Sequence, residues 1–454
     1  MVAIRDEVDA LLTAVLDRSE AEQTEVLYMA ADSALTRFAT NQIHQNVREH
    51  DATLQVRVID QQRVGVAGTN RLDEAGLRDM VERAAAIARR AAPNPKAGDL
   101  PEPDGEMPES EAGYVTATAD ATPEVRGEGA RAVIAAGMTE GLQVSGSFAT
   151  TMMTIAVANS RGVRTRHRTT RARLVTVMMD GFASGAASGY ALAGSTDVRD
   201  IDAEALGREA ARKGATMRGA EELPAGDYAV ILEEYAVAGL LEYLSFIGFG
   251  GLAYEEGRSF MELGERVTGE RVTVWDDGQD PAGLPSPIDF EGVSRQRVDL
   301  IENGIARAVV HDAATGGRAG TGSTGHALPA PNVYGPMAVN LFMAPGDTPR
   351  DELIQGVERG IWVTRFHYLN PVHPKRAILT GMTKDGTFLI EDGRITRPIL
   401  NLRFTQSIPD AFRTIKALSA ETKLVPGEYF GSSRVPALHL GSFTFTGVTA
   451  REGG

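Results

Sequence analysis

The sequence predicts an α+β protein: antiparallel sheets and helices through residues 1–222, then a β-rich segment over 223–454. Two observations carry that expectation. In the first segment, helix-period and strand-period stretches follow the order helix, several strands, helix, and do so twice. In the second, short apolar runs are separated by Asp277-Gly278, Asn303-Gly304, Asp385-Gly386 and Asp392-Gly393. Asn-Gly and Asp-Gly favour type I′ hairpin turns, whose two central residues need positive φ. The 49 glycines among 454 residues fit such a turn-rich chain.

Residues 5–18 place Val8, Leu11, Leu12, Val15 and Leu16 at helical spacing. Strand-like runs follow at 25–30, 33–40, 43–49 and 53–66, where Leu54, Val56 and Val58 alternate with Gln55 and Arg57. An Asp at the start and arginines at the end frame a helix over 73–92. Residues 93–112 are Pro-rich and polar, a linker or surface loop that would divide the N-terminal domain into two lobes. The second lobe reads as a helix over 123–138, strands over 143–150, 153–159, 161–180 and 184–194, and a helix over 202–217. Beyond residue 222, segments 298–310 and 387–399 read as two hairpins, and helices are expected only near 230–246, 348–359 and 409–418.

Composition narrows the function classes. Lys+Arg is 46 and Asp+Glu is 61, a net charge of −15, which excludes nucleic acid or an anionic membrane as the main partner. The chain has no cysteine, so disulfides, Cys-type zinc sites and thiol nucleophiles are excluded. Acids appear at once after Met1, with no apolar core of a signal peptide. The stretch Ala236–Ala253 is apolar but contains Glu242 and four glycines, which favours a buried helix and loop over a membrane span. A soluble, cytoplasmic protein is expected.

Gly320-Thr321-Gly322-Ser323-Thr324-Gly325 matches GxGxxG, yet Pro329 and Pro331 follow His326 and stop the helix a dinucleotide site needs. These residues, Gly320, Gly322, Ser323, Thr324, Gly325 and His326, are instead expected to form a mobile loop that lines a substrate path, its backbone amides open to a ligand. The eight histidines include no HExxH, and Pro371 separates His367 from His373. Arg164, Arg166 and Arg168 share one strand face, read as solvated because no aromatics interleave them. No GxSxG nucleophile occurs.

Several strings, taken in order, resemble the TldD/PmbA family of zinc peptidases. Thr36-Arg37-Phe38-Ala39-Thr40-Asn41-Gln42-Ile43-His44-Gln45-Asn46 is similar to that family's TRFA-x-N-x-I-x-Q signature. Asp276-Asp277-Gly278, Phe290-Glu291-Gly292, Leu300-Ile301-Glu302-Asn303-Gly304, Ser323-Thr324-Gly325, Pro331-Asn332 and the tail over 380–407 follow in the family's order, so the resemblance spans residues 26–450. It implies a C-terminal β-rich, barrel-like domain. It also implies two kinds of subunit. TldD-type chains carry HExxxH and a cysteine; both histidines and the cysteine hold zinc, and the glutamate activates water. Here the matching stretch is Ile231-Leu232-Glu233-Glu234-Tyr235-Ala236-Val237-Ala238. Glu233 and Ala238 stand in the histidine positions, Glu234 in that of the general base, and Tyr429-Phe430-Gly431-Ser432-Ser433 in the cysteine region. A catalytic zinc needs three protein ligands, and at most one is left.

The chain thus resembles a TldE/PmbA-type subunit, with Glu233 and Glu234 as vestiges. The expectation is no metal or cofactor in this chain, zinc in a TldD-type partner, and a heteromer that acts on extended peptides. The alternatives are a self-sufficient hydrolase with Glu233, His326 and His367 as ligands, and a non-enzymatic, peptide-binding homodimer.

Overall fold

The computed structural model describes residues 5–103, 109–181, 187–427 and 431–448. Helix α1 (Arg5–Leu16) buries Val8, Leu12 and Val15 as their spacing dictates. Strands β1 (Gln23–Ala39) and β2 (Gln42–Asp60) form one long hairpin around Thr40 and Asn41, whose φ values are 48° and 63°. The runs 25–30 and 33–40 are therefore one strand. Polar Asp32 does not interrupt it, because Arg48, diagonally across on β2, donates to both its oxygens at 2.7 and 2.6 Å. The run 53–66 is instead two strands, since Gln61 and Gln62 (φ 48° and 61°) turn the chain into β3 (Arg63–Thr69). Helix α2 (Glu74–Arg90) starts where Asp73 accepts a hydrogen bond from the Gly76 amide at 2.7 Å.

The order recurs with α3 (Pro123–Thr139), β4 (Gln143–Asn159), β5 (Arg164–Met179), β6 (Ser188–Ser195) and α4 (Ala203–Thr216). The start of the strand expected at 184–194 lies outside the described residues. Both halves share a single seven-stranded sheet, ordered β3-β2-β1-β4-β5, with β6 and the short Glu109–Ser110 strand also on β5. Antiparallel pairing of β1 with β4, from Glu25↔Asn159 to Phe38↔Gly146, joins the halves. Helices α1 and α2 cover one part around Tyr28, Leu54 and Met80; α3 and α4 cover the other around Phe148, Leu174 and Leu206.

The second sheet has eleven strands. Its main members are β7 (Gly226–Leu232), β8 (Val274–Asp276), β9 (Val298–Glu302), β10 (Asn340–Met343), β11 (Arg359–His373), β12 (Ile378–Glu391), β13 (Leu402–Ser407), β14 (Ile415–Pro426) and β15 (Ser432–Val448). Strand β7 pairs with both β11 and β15, so β7, β11, β12, β13 and β15 close a partial ring. Helix α5 (Glu234–Leu244) packs on β11 and β15 within the largest apolar cluster. Both expected hairpins form, with positive φ at Asn303-Gly304 and Asp392-Gly393.

Three helix expectations need correction. Residues 230–232 belong to β7, because Val230, Ile231 and Leu232 lie between two strands and a doubly buried strand has no alternation to distinguish it from a helix. Segment 348–359 contains only a single 3₁₀ turn, Arg350–Glu352; Leu353 and Val357, in the turns that follow it, are buried against Ile231 and Ile390. The last helix ends at Arg413, and β14 begins two residues later. No described helix is long and apolar enough to cross a membrane.

Candidate functional site

Strand β7 ends at Leu232, and α5 begins at Glu234, so Glu233 is the junction. Its backbone is extended and its amide donates to the Val363 carbonyl at 3.0 Å. The side chain does not cap α5; it turns into a buried charged cluster. One Glu233 oxygen accepts from Trp362 Nε1 at 2.6 Å and Thr364 Oγ1 at 2.9 Å. The other accepts from Lys213 Nζ at 2.7 Å and lies 3.5 Å from Arg350 Nη2. Arg350 also clamps Glu234 with Nε and Nη2 at 2.8 and 3.2 Å. Lys213 holds Glu209 at 2.7 Å, one turn back on α4, and Lys423 closes the group 3.4 Å from Glu209 and 3.0 Å from the Tyr235 hydroxyl.

Three carboxylates thus meet three cations, with Glu233, Glu234 and Lys213 buried and Glu209, Arg350 and Lys423 partly open to the solvent. Burial alone would push the Glu233 carboxyl up, but Lys213, Arg350 and the Trp362 hydrogen bond hold it down at about 2. Burial lowers Lys213, yet Glu233 and Glu209 outweigh it and keep the ammonium charged. Burial and Glu209 push the Tyr235 phenol well above its ordinary value. The cluster forms one wall of a cleft of about 1300 Å³ between α3, α4 and the C-terminal sheet. Ala132, Ala136, Ile354, Trp362 and Phe388 make the rest of that wall largely apolar.

The glycine segment lies elsewhere. Its first part is a short helix, α6 (Ala313–Ala319), closed by an Asp312–Thr315 capping box and by Gly320 in left-handed backbone. Gly320 and Gly322 have open space where a Cβ would stand. The remainder is locked into the body. Thr324 Oγ1 accepts from the His311 amide at 2.7 Å and lies 2.9 Å from His326 Nδ1, while His326 Nε2 meets Asp276 at 2.9 Å, fully buried. Ser323 bonds the His311 carbonyl at 3.3 Å, and a Cβ on Gly325 would lie 2.4 Å from the Ser294 carbonyl oxygen. A smaller cavity of about 350 Å³ lies beside α6, lined by Arg57, Glu291, Asp312 and Arg318.

Comparison with known proteins settles the family. Residues 225–447 match the PmbA/TldA metallopeptidase C-terminal domain, 114–218 the central domain and 24–88 domain 1 of the same family. The chain belongs to the PmbA/TldD family. The metalloprotease PmbA of Escherichia coli O157:H7 is 22% identical over 451 residues, 96% of each chain. A metalloprotease of Methanothermobacter thermautotrophicus is 25% identical over 280 residues, 59% of this chain and 60% of that protein. With the TldD homolog of Haemophilus influenzae the match spans 47% of the relative's length. The crystal structure of TldE from Thermococcus kodakarensis has the same fold, with a TM-score of 0.86, 20% identity, and coverage of 97% of this chain and 100% of that one.

The PmbA/TldD resemblance places zinc ligands at Glu233, at Ala238 and near residue 431, and the residues present do not fit that ion. Both oxygens of Glu233 are already held by neighbouring donors, Ala238 has no donor atom, and the Ser432 hydroxyl accepts from the Leu284 amide at 3.2 Å. Tyr429 and Phe430 lie outside the described residues. No group of three metal-binding side chains occurs among the described residues, so Glu233, His326 and His367 are not brought together. Glu233 and Glu234 are brought together, through Arg350. The glycine segment does not line their cleft.

Sequence reading missed Glu209, Lys213, Arg350, Trp362 and Lys423. One signal was present. Leu206, Ala210, Lys213 and Gly214 share the buried face of α4, and a lysine at core spacing demands a buried acid.

Proposed function

We propose that this chain is a metal-free subunit of a heteromeric PmbA/TldD-type peptidase. The partner is a TldD-type chain bearing HExxxH and zinc, and the pair acts on extended or unfolded peptides. The observation that supports this reading is Glu233 itself. At the position of a histidine ligand stands a carboxylate saturated by Lys213, Trp362 and Thr364. A chain built this way keeps the fold and its cleft but offers no ligand set for catalysis. Its role is to shape the shared chamber and to hold peptide, whose backbone can add to free strand edges with little dependence on sequence. The relatives named metalloproteases and the fold shared with TldE support the peptidase setting of this reading.

Co-expression with a TldD-type chain tests the proposal. We expect a mixed complex that cleaves peptides, loses activity when the partner's HExxxH glutamate becomes glutamine, and keeps it with Glu234→Gln here. The chain alone is expected to carry far less than one zinc and to leave peptides intact. One tightly held zinc per isolated chain, or activity that disappears only with Glu234→Gln, would reverse the assignment. An inactive homodimer that ignores the partner would favour a binding protein instead.

A further inference from the structure

The cavity of about 350 Å³ beside α6 is unevenly charged from one end to the other. Its walls come from β2 and β3, from the linker that follows α2, from α6 and from residues 327–335. The linker runs back along α6: a Cβ on Gly98 would lie 3.2 Å from Ala314 Cα, and the Lys96 carbonyl accepts from Arg318 Nη1. Asp312 precedes the first turn of α6 and Arg318 is in its last. At 1.5 Å of rise per residue, these two positions stand about 9 Å apart along the axis.

At the Asp312 end, acids outnumber bases. Glu291 accepts from the Ala313 amide and from Arg57 Nη2, each at 2.9 Å. The same Nη2 also serves the buried Glu25, at 2.7 Å. Asp312 takes the Thr315 amide and hydroxyl on one oxygen, both at 2.7 Å, and forms no ion pair among the described residues. Three carboxylates thus have one guanidinium between them. Burial pushes Glu25 up, and the Glu291 charge adds to this, so that it reaches about 7 in spite of Arg57. At the Arg318 end the balance is reversed: Arg318 and Lys96 share one acid, Glu255, at 2.7 and 3.2 Å. Between the ends, Val64, Val66, Leu252 and Leu328 make the wall apolar. Arg57 also keeps a spare donor, since its Nε is buried and has no partner among the described residues.

A ligand complementary to this cavity carries positive charge at one end and negative charge at the other. We propose that the cavity binds a dipeptide as its zwitterion, the ammonium toward Asp312 and Glu291 and the carboxylate toward Arg318 and Lys96. Two extended residues, at about 3.4 Å each, and the hydrogen bonds at their ends cover the 9 Å between the charged poles, whereas a single amino acid falls short. Arg57 Nε is the donor for the peptide carbonyl, and the apolar wall takes aliphatic side chains. The site is separate from the Glu233 cleft and does not depend on the peptidase reading.

The purified full chain is titrated calorimetrically with leucyl-leucine, N-acetyl-leucyl-leucine, leucyl-leucinamide and leucine. We expect one leucyl-leucine per chain, and affinities at least tenfold lower for the acetylated and amidated forms, each of which lacks one charge. Asp312→Asn keeps an oxygen for the Thr315 amide but loses the charge. It should weaken leucyl-leucine at least tenfold and leave the acetylated form unchanged. Lys96→Gln alters an exposed side chain and should do the converse, weakening leucyl-leucine and sparing the amide. That crossed pattern does not arise from a folding defect, and the Lys96 variant carries the test if Asp312→Asn does not fold. No saturation by about 10 mM leucyl-leucine would overturn the proposal. So would equal binding of the acetylated form, or a Lys96 variant that binds leucyl-leucine as the wild type does. Tighter binding of leucine than of leucyl-leucine would overturn the two-residue length.

Discussion

Two buried acids, Glu233 and Glu25, make an instructive pair. Both lie where the N-terminal sheet layer meets the C-terminal domain, and both bond a cation at 2.7 Å. Their surroundings differ in charge count. Around Glu233, the carboxylates of Glu209, Glu233 and Glu234 are matched by Lys213, Arg350 and Lys423. Around Glu25, one guanidinium serves two acids: Arg57 Nη2 reaches Glu25 at 2.7 Å and Glu291 at 2.9 Å. The outcomes are opposite. Glu233 is held at about 2, whereas burial and the Glu291 charge push Glu25 up to about 7 in spite of Arg57. Burial penalises both carboxylates, and the number of cations in reach decides the sign.

The largest effect is expected from breaking the matched cluster. Lys213→Met leaves Glu233 buried with Arg350 at 3.5 Å as its nearest cation. Removing one partner of a buried pair costs about 3–5 kcal/mol. Denaturant unfolding should show that loss, and the double variant Lys213→Met/Glu233→Gln should recover much of it. A loss under about 1 kcal/mol for Lys213→Met would mean that water reaches Glu233 and the cluster is not closed.

The next expectation separates the two seams by pH. Glu233 is depressed below its unfolded value of 4.5, so its contribution is complete above pH 4.5 and disappears as pH falls toward 2. Glu25 is raised, so its contribution is complete below pH 4.5 and fades as pH climbs through 7. Each proton that differs between folded and unfolded states gives a slope of about 1.4 kcal/mol per pH unit at most. Glu25→Gln removes a titrating acid but keeps an oxygen for Arg57. It should flatten the stability profile between pH 4.5 and 7 and leave the variant more stable than wild type at pH 8. An unchanged profile would show that Glu25 stays ionised throughout.

A smaller effect tests how the cluster holds the start of α5. Arg350 joins a turn of the C-terminal domain to Glu234 in the first turn of that helix. A double-mutant cycle with Arg350→Gln and Glu234→Gln should give a coupling on the order of 1–2 kcal/mol. A coupling near zero would place the whole stabilisation in the Lys213–Glu233 bond.

The same contrast explains what was legible in the sequence. The hairpins at Asn303-Gly304 and Asp392-Gly393 announce themselves, because backbone conformation at a turn is set by the residues in it. Helices α2, α3 and α4 are legible from periodicity and end residues. Strand β7 was not, since a doubly buried strand shows no alternation. The two seams were opaque for a different reason. Glu25 and Arg57 are 32 positions from one another, and Glu291 is 234 from Arg57; Lys213 and Arg350 reach Glu233 from two other elements. No local pattern marks which acids converge on which cations. Glu233 and Glu234 could be singled out only through the family resemblance, and their partners not at all.

The glycine segment yields the smallest effect and the sharpest correction to a uniform reading. As a sequence, residues 316–326 suggest one mobile loop. In the structure the Gly320, Thr321 and Gly322 amides rest on carbonyls at 3.1–3.3 Å within an exposed turn. The Thr324 and His326 amides bond the His311 carbonyl at 3.0 and 3.3 Å, beneath the Thr324–His326–Asp276 chain. Local opening needs few buried contacts to break in the first part and many in the second. Hydrogen exchange should therefore be fast at 320–322 and slow at 324–326, a division within seven residues. His326→Ala removes the ring that ties Thr324 to Asp276 and should spread fast exchange to 324–326. The 320–322 amides should be unaffected. Uniformly fast exchange in the wild-type chain would return the whole segment to the role of a mobile substrate loop. Uniform protection would remove it from any path that a peptide could take.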